Sequence, residues 1–208
     1  MNEACEVKAL KAYITTNFIS EVNILINLHI FAKLVQIRRL IRKAITGCFL
    51  TLIHDIHKLN NGSELVDILA STISGLQFIY EHIVFFKNII IPLHKVQTSN
   101  LYFDNLIRCS MLFLTKDSSL AILLLEGILK YWPFANFVKE TLFLQELPEV
   151  LEFCDVEKIK PLIPKLFKRI VKCISGSHLQ VADRAMCLFE SESFIQIIKT
   201  YKQTTFAM

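Results

Sequence analysis

Residues 120–153 read LAILLLEGILKYWPFANFVKETLFLQELPEVLEF and contain the only tryptophan of the chain, Trp132, followed directly by Pro133. Apolar residues recur every three or four positions on both sides of this pair, which predicts two amphipathic helices. Pro133 has no backbone N–H and disfavours the α conformation at Trp132, so the first helix is expected to end there. Asn136 is the predicted N-cap of the second helix. Two helices with so short a connection predict an antiparallel hairpin, with Trp132 buried between this hairpin and a neighbouring one.

One such hairpin leaves apolar surface on both of its faces, so it needs further hairpins on either side. Helical periodicity recurs along the chain, and the first helices of successive pairs are predicted to begin near Arg38, Tyr80, Ser118 and Val156. Their spacing of about 40 residues is typical of HEAT and armadillo repeats. The sequence therefore predicts an all-α protein, an α-solenoid of antiparallel helix hairpins that forms a single domain over residues 1–208.

Two local patterns predict helix boundaries in the last third of the chain. Residues 156–175 are expected to be helical, with Pro161 and Pro164 confined to the first half of the helix. The segment SHLQ at 177–180 has the pattern of a capping box. In that motif the serine oxygen accepts from the first turn and the glutamine side chain reaches back to the serine N–H.

Composition excludes several classes of protein. Apolar residues make up 53% of the 208 residues and charged residues 20%, which argues against disorder. Only five glycines and five prolines are present, too few for the tight turns of an all-β fold. The formal charge of +4 is small for a dedicated nucleic-acid-binding protein. No apolar run reaches about 18 residues without a charge, so no membrane span is expected.

The termini and the cysteines predict a compartment. Glu3, Glu6 and Lys8 occupy the amino terminus, where a signal peptide would carry basic residues and then an apolar block. The six cysteines are scattered and form no CxxC pair. Most lie in apolar helical runs, where reduced core thiols are expected. These features favour the cytoplasm, with the nucleus as an alternative.

Six segments of the chain carry a resemblance to a known family. They occur in the family's order and at close to its spacing: IRRLIRKAI, NGSELVDILASTISG, IIIPLHK, EGILKYWP, KETLFLQELPEVLE and SHLQVADRAM. Together they resemble the regulatory B′ subunit family of protein phosphatase 2A, and weaker similarity extends back to KAYITTNFI. The chain is therefore identified as a divergent, truncated member of that family, whose members are longer than this chain.

The resemblance implies a function without catalysis. Family members are HEAT-like solenoids that bind the scaffold and catalytic subunits of the phosphatase. They select substrates, chiefly through short LxxIxE peptides. The chain is thus expected to be a regulatory subunit and not an enzyme, with no cofactor. The family's acidic loop reads here as HDIHK at 54–58, so most of its negative charge is lost.

The resemblance also implies a peptide groove. The positions that match its lining are Phe31, Arg38, Arg42, Ile68, Thr72 and His82. Two apolar pockets are expected to take the leucine and isoleucine of the ligand. The family grips the ligand's glutamate with a His-Arg pair, whereas here only His29 is present, between Leu28 and Ile30. Without the resemblance, the arginines at 38 and 42 would be interpreted as part of a solvated helix face.

Other polar groupings favour structural interpretations. His54 and His57 lack the further ligands of a metal site and are expected in a surface loop. A basic stripe, Lys165, Lys168, Arg169 and Lys172, could contact acidic partners or nucleic acid, but a solvated face is the favoured interpretation. No glycine-rich phosphate loop, GxSxG motif or catalytic cluster is present.

Two alternatives to the phosphatase-targeting function remain open. The chain could be a free-standing helical scaffold or adaptor that no longer joins the phosphatase. Nucleic-acid binding through the basic residues is a more distant alternative. Co-purification with phosphatase activity would separate the first function from both alternatives, and binding that weakens steeply with salt would support only the last.

Overall fold

A computed structural model describes residues 46–47, 49–50, 53, 66 and 80–202. All regular secondary structure within these ranges is helical, which confirms the all-α prediction. The chain divides into two compact units, residues 1–112 and 113–208. The assignment of all 208 residues to one solenoid domain stays a prediction, as does the helix start near Arg38, which lies outside the described ranges. None of the described helices has the length and apolar character needed to cross a membrane.

In the first unit, residues 80–93 form a helical segment; the residues directly before Tyr80 lie outside the described ranges, so the helix start predicted near Tyr80 stays a prediction. The segment comprises α1 (Tyr80–Phe85), a π-helical turn (Phe86–Ile90) and α2 (Ile91–Leu93). The wider turn lies directly before Pro92, which has no N–H for the usual α-helical hydrogen bond. Its buried residues include Phe86 and Ile89. The segment therefore continues through the proline by changing its hydrogen-bond register.

The chain then turns through residues 94–102 into the next helix. A 3₁₀ helix (Gln97–Leu101) precedes α3 (Phe103–Lys116). The buried His94 ring donates through Nδ1 to the Ile90 carbonyl oxygen at 2.9 Å, because a carbonyl can only accept. The same ring meets the edge of Phe103 with centroids 5.8 Å apart. These contacts hold the end of one helix against the start of the next.

The second unit contains the hairpin predicted around Trp132. It is formed by α4 (Leu120–Lys130) and α5 (Phe137–Glu152), which pack against each other. Trp132 is buried at 4% exposure, as predicted. The Asn136 side chain accepts a hydrogen bond from the Lys139 N–H at 3.1 Å, which confirms the predicted N-cap. The first helix begins close to the predicted Ser118 and ends just before the Trp-Pro pair.

Three further helices complete this unit. They are α6 (Ile163–Ile174), α7 (Leu179–Met186) and α8 (Glu192–Thr200). A 3₁₀ turn (Lys160–Leu162) precedes α6, and another (Cys187–Glu190) joins α7 to α8. Of the earlier helices, α5 contacts both α7 and α8, while α4 contacts α6. The α5 helix thus lies at the centre of the packing within the unit.

Two boundary predictions are wrong. The helix predicted from Val156 begins only at Ile163, because residues 156–159 form turns and a 3₁₀ turn follows. Pro161 and Pro164 each occupy a first-turn position, where a missing N–H is harmless, so each marks a start and not an interior. The capping box is also wrong. His178 is the N-cap residue of α7, and no side chain caps the helix.

Candidate peptide-binding surfaces

Most of the predicted peptide groove lies outside the described residues. This applies to His29, Phe31, Arg38, Arg42, Ile68 and Thr72, and also to His54 and His57. His82 is described: it lies on α1 and is 8% exposed. The predicted groove therefore stays a prediction. Within the described ranges, no group of three or more His, Cys, Asp or Glu residues could hold a metal ion.

The described residues place Trp132 at the centre of a polar cluster. Its indole Nε1 donates to Glu140 Oε1 at 2.7 Å, and its ring meets the edge of Phe143 with centroids 5.8 Å apart. The same carboxylate oxygen accepts from the Cys173 thiol at 3.4 Å. Burial and the neighbouring Glu140 raise the pKa of Cys173 to about 12, so the group is a neutral donor. One carboxylate on α5 therefore joins the 131–136 connection to α6.

Arg169 lies on the other side of this cluster. Its guanidinium carbon is 3.9 Å from the centroid of the Phe134 ring and 5.7 Å from that of Trp132. Burial lowers the pKa of Arg169, and nearby groups including Glu140 oppose the shift. An arginine nevertheless stays charged in proteins. The two aromatic rings therefore lie beside a permanent cation.

This arginine faces an open groove with a volume of about 580 Å³. We call it the basic groove. It lies between α4, the 131–136 connection and one face of α6 with the residue before it, Leu162. Five cations, one acid and three apolar residues line it: Lys130, Lys165, Lys168, Arg169, Lys172, Glu126, Leu129, Phe134 and Leu162.

The basic groove adds to the interpretation of the basic stripe on α6. The sequence predicts a solvated face, and Lys165, Lys168 and Lys172 are exposed; together with Arg169 they also line a concave surface shared with α4. Lys130 and Phe134 were not predicted to take part. The available signal was weak, since Lys130 is simply the last residue of a helix and Phe134 follows a proline.

The cations of the basic groove outnumber the acids around them. None of the five forms an ion pair with any residue that the structure describes, and Glu126 is the single acid in the lining. The Nζ atom of Lys130 lies 5.2 Å from the Tyr131 ring centroid. At the floor, Leu129 and Leu162 are buried, while Phe134 is 67% exposed. The surface thus combines concentrated positive charge with an exposed aromatic ring.

Comparison with known proteins identifies the family. The family model described as "Protein phosphatase 2A regulatory B subunit (B56 family)" matches residues 2–208. The serine/threonine-protein phosphatase 2A regulatory subunit pptr-1 of Caenorhabditis elegans is 37% identical over 82% of this chain and 32% of its own length. The 56 kDa regulatory subunit delta 2 isoform of Schizosaccharomyces pombe is 37% identical over 81% and 27%, respectively.

A human relative gives the same picture. The 56 kDa regulatory subunit alpha isoform of Homo sapiens is 36% identical over 82% of this chain and 35% of its own length. The chain therefore spans about a third of the length of these curated relatives. Each of them is named as a regulatory subunit and not as a catalytic one.

Proposed function

Because the chain belongs to the B56 family of protein phosphatase 2A regulatory B subunits, we propose that it directs this phosphatase to selected substrates. The observation that carries the proposal is the family match over residues 2–208. The helical architecture of the described residues agrees with it. The proposed partners are the scaffold and catalytic subunits of the phosphatase and proteins that carry LxxIxE peptides. Membrane and nucleic acid are not among the proposed partners.

Assembly with the phosphatase is tested by reconstitution. The full chain is mixed with purified scaffold and catalytic subunits and separated by size-exclusion chromatography. Co-elution with both subunits is expected. Elution of the chain alone, at protein concentrations well above the dissociation constants usual for subunit assembly, would favour the alternative, a free-standing helical scaffold. We propose a location in the cytoplasm or nucleus; the free thiols of the described cysteines, Cys109, Cys154, Cys173 and Cys187, support this proposal.

Substrate recognition is proposed for the groove that contains Arg38 and Arg42. Guanidinium groups suit the carboxylates or phosphates of a peptide, which supports this assignment. The affinity is expected to be lower than is usual in the family, because His29 lacks a neighbouring arginine. Loss of one charge-assisted hydrogen bond, roughly 1.5–3 kcal/mol, weakens binding about ten- to a hundredfold. Apolar burial in the two pockets would supply most of the remaining affinity.

A titration of three proteins with two peptides tests this groove. Wild type, Arg38→Ala and Ile30→Arg are compared with a phosphorylated LxxIxE peptide and with one lacking its leucine and isoleucine. Wild type should prefer the first peptide, and Arg38→Ala should weaken that binding. Ile30→Arg should strengthen it by supplying the missing basic partner. If wild type binds both peptides alike, or Arg38→Ala changes nothing, this groove is not the site.

A further inference from the structure

The four predicted stripe cations and Lys130 converge on one concave surface, the basic groove. Lys165, Lys168, Arg169 and Lys172 occupy successive turns of one face of α6, and Lys130 approaches from α4. Glu126 is the single acid in the lining, the described ion pair contains none of the five cations, and Glu140 acts electrostatically on Arg169 alone among them. Like charges gathered in a groove create a positive potential that attracts an anion. The occupant is therefore expected to be strongly acidic.

Arg169 adds geometry to this charge. Its guanidinium carbon lies over the Phe134 ring, 3.9 Å from the centroid, which limits where the group can move. Its Nε atom is buried and has no hydrogen-bond acceptor among the described residues. A guanidinium donates paired hydrogen bonds to a phosphate or carboxylate. The site is thus prepared for a tetrahedral or planar anion.

The apolar residues indicate that the anion belongs to a peptide. Leu129 and Leu162 form a floor, and the exposed Phe134 ring stands at the rim. The volume of about 580 Å³ is that of a site for a few residues or a small ligand. From Lys165 to Lys172 the cations extend about 10 Å along the helix, the length of about three residues of extended peptide.

We propose that the basic groove binds an acidic, phosphorylated segment of a partner protein, with the phosphate on Arg169 and the lysines and an apolar side chain on Leu129, Leu162 and Phe134. A nucleic acid fits less well, because the whole chain carries a formal charge of only +4 and the cationic surface is short. A bilayer fits less well because the surface is concave. The proposal does not rest on the LxxIxE groove. The residues assigned to that groove lie between positions 29 and 82, whereas those lining the basic groove lie between 126 and 172.

The test measures fluorescence anisotropy of labelled peptides with the full chain. The probe is a short synthetic peptide with one phosphoserine flanked by glutamates and a leucine two residues before it. The same peptide with an unmodified serine is expected to bind about tenfold more weakly or worse, because charge-assisted hydrogen bonds are lost. Replacing its leucine by serine should also weaken binding. Added salt should weaken all of these complexes, as the charges are partly exposed.

Variants assign the binding to the groove. The double variant Lys165→Gln/Lys168→Gln should weaken binding of the phosphopeptide about tenfold or more. Arg169→Lys keeps the charge but loses the planar fork, so it too should weaken binding. Lys199→Gln is the matched control, since Lys199 is exposed on α8 and outside the groove lining. Each protein is checked by circular dichroism, so that a loss of binding is not a loss of folding.

Several outcomes would overturn the proposal. One is equal binding of the phosphorylated and unmodified peptides, and another is wild-type affinity in the double variant. Tighter binding of a single-stranded RNA oligonucleotide or of phosphatidylserine vesicles would assign the groove to those ligands instead. Displacement of the peptide by equimolar inorganic phosphate would show that a free anion suffices. An LxxIxE titration in the same proteins should be unchanged, so failure of that peptide alone would overturn only the proposed substrate groove.

Discussion

The connections at 94–102 and 131–136 both join two helices, but different kinds of contact stabilise them. In the first, His94 bonds the carbonyl of Ile90 in the preceding helical segment, and the Tyr102 hydroxyl donates to the Leu93 carbonyl at 3.4 Å. In the second, Trp132 donates to Glu140, which also accepts from Cys173 in a later helix. Among the described contacts, those of the first connection are with neighbours in sequence, whereas those of the second involve residues from three elements.

This difference predicts how far the structural effect of a substitution extends. The contacts that the structure describes for the 94–102 connection have partners in the flanking helical segments, so losing one of them is expected to loosen mainly that turn. A lost contact in the 131–136 connection also affects α6, because Glu140 links the connection to Cys173. In a protein built of helical repeats, stability depends on such contacts between neighbouring repeats. Substitutions in the second connection should therefore cost more than substitutions of similar size in the first.

The largest effect is expected for Trp132→Ala. The ring is 4% exposed and packs on Phe143, so its loss leaves a cavity and removes the donor to Glu140. The free energy of unfolding should fall by roughly 3–5 kcal/mol, measured by urea denaturation. Phe134→Ala in the same connection is the control, since this ring is 67% exposed and should cost below about 1 kcal/mol. Equal losses in the two variants would show that Trp132 is not the anchor.

The hairpin around Trp132 could be predicted because its signals are local. The Trp-Pro pair, the apolar periodicity and the Asn136 cap are all contained in one short stretch, and each acts on the backbone beside it. The link from Glu140 to Cys173 could not be predicted, because the two residues lie far apart in sequence. Contacts of that kind depend on how helices pack, which one sequence does not specify.

The same limit explains the errors. The predicted start of α6 is too early because the apolar pattern continues through 156–162. The two prolines do not lie inside one helix: one marks the start of the 3₁₀ turn and the other the start of α6. The capping box had the right residue types, but the chain enters α7 one residue later. The basic stripe was found, yet its groove requires Lys130 and Phe134 from another part of the fold. A helical period shows which residues share a face of the helix, but it does not show which residues that face contacts.

The second-largest effect concerns a buried charge beside the second connection. Lys139 lies in the first turn of α5, directly after that connection, and is 4% exposed. Burial lowers its pKa to about 8. Between that value and 10.5, the ordinary pKa, the unfolded chain binds more protons than the folded one, so this residue makes stability rise with pH. Lys139→Met removes this pH dependence, so the variant should gain stability relative to wild type as the pH falls from 10.5 to about 8, by about 1.4 kcal/mol per pH unit. The gain should level off below about pH 8.

The measurement is the difference in unfolding free energy between variant and wild type at several pH values. A difference is needed because burial raises the pKa of Cys154 and Cys173, whose ionisation opposes the lysine effect at alkaline pH. Lys199→Met, on an exposed position of α8, should show no such gain. A pH-independent difference for Lys139→Met would mean that the ammonium reaches solvent in the folded chain.

A third prediction isolates the link from Glu140. Glu140→Ala removes the acceptor of both the Trp132 indole and the Cys173 thiol and leaves these groups unsatisfied. The cost should be about 1–3 kcal/mol, whereas Glu140→Gln, which keeps a carbonyl oxygen, should cost less. A double-mutant cycle with Cys173→Ala measures the coupling to α6. A coupling of zero would show that the second connection is as local as the first.

The smallest effect is expected in the first connection, for Tyr102→Phe. The Tyr102 hydroxyl is buried with a hydrogen bond of 3.4 Å to the Leu93 carbonyl, longer than the usual range. Removing it should cost about 0.5–1 kcal/mol, because the ring stays in place and a long bond contributes little. Urea denaturation of this variant beside Glu140→Ala compares one local bond with one long-range acceptor. If Tyr102→Phe costs as much as Glu140→Ala, the first connection depends on its hydroxyl as strongly as the second on its carboxylate, and the contrast between them fails.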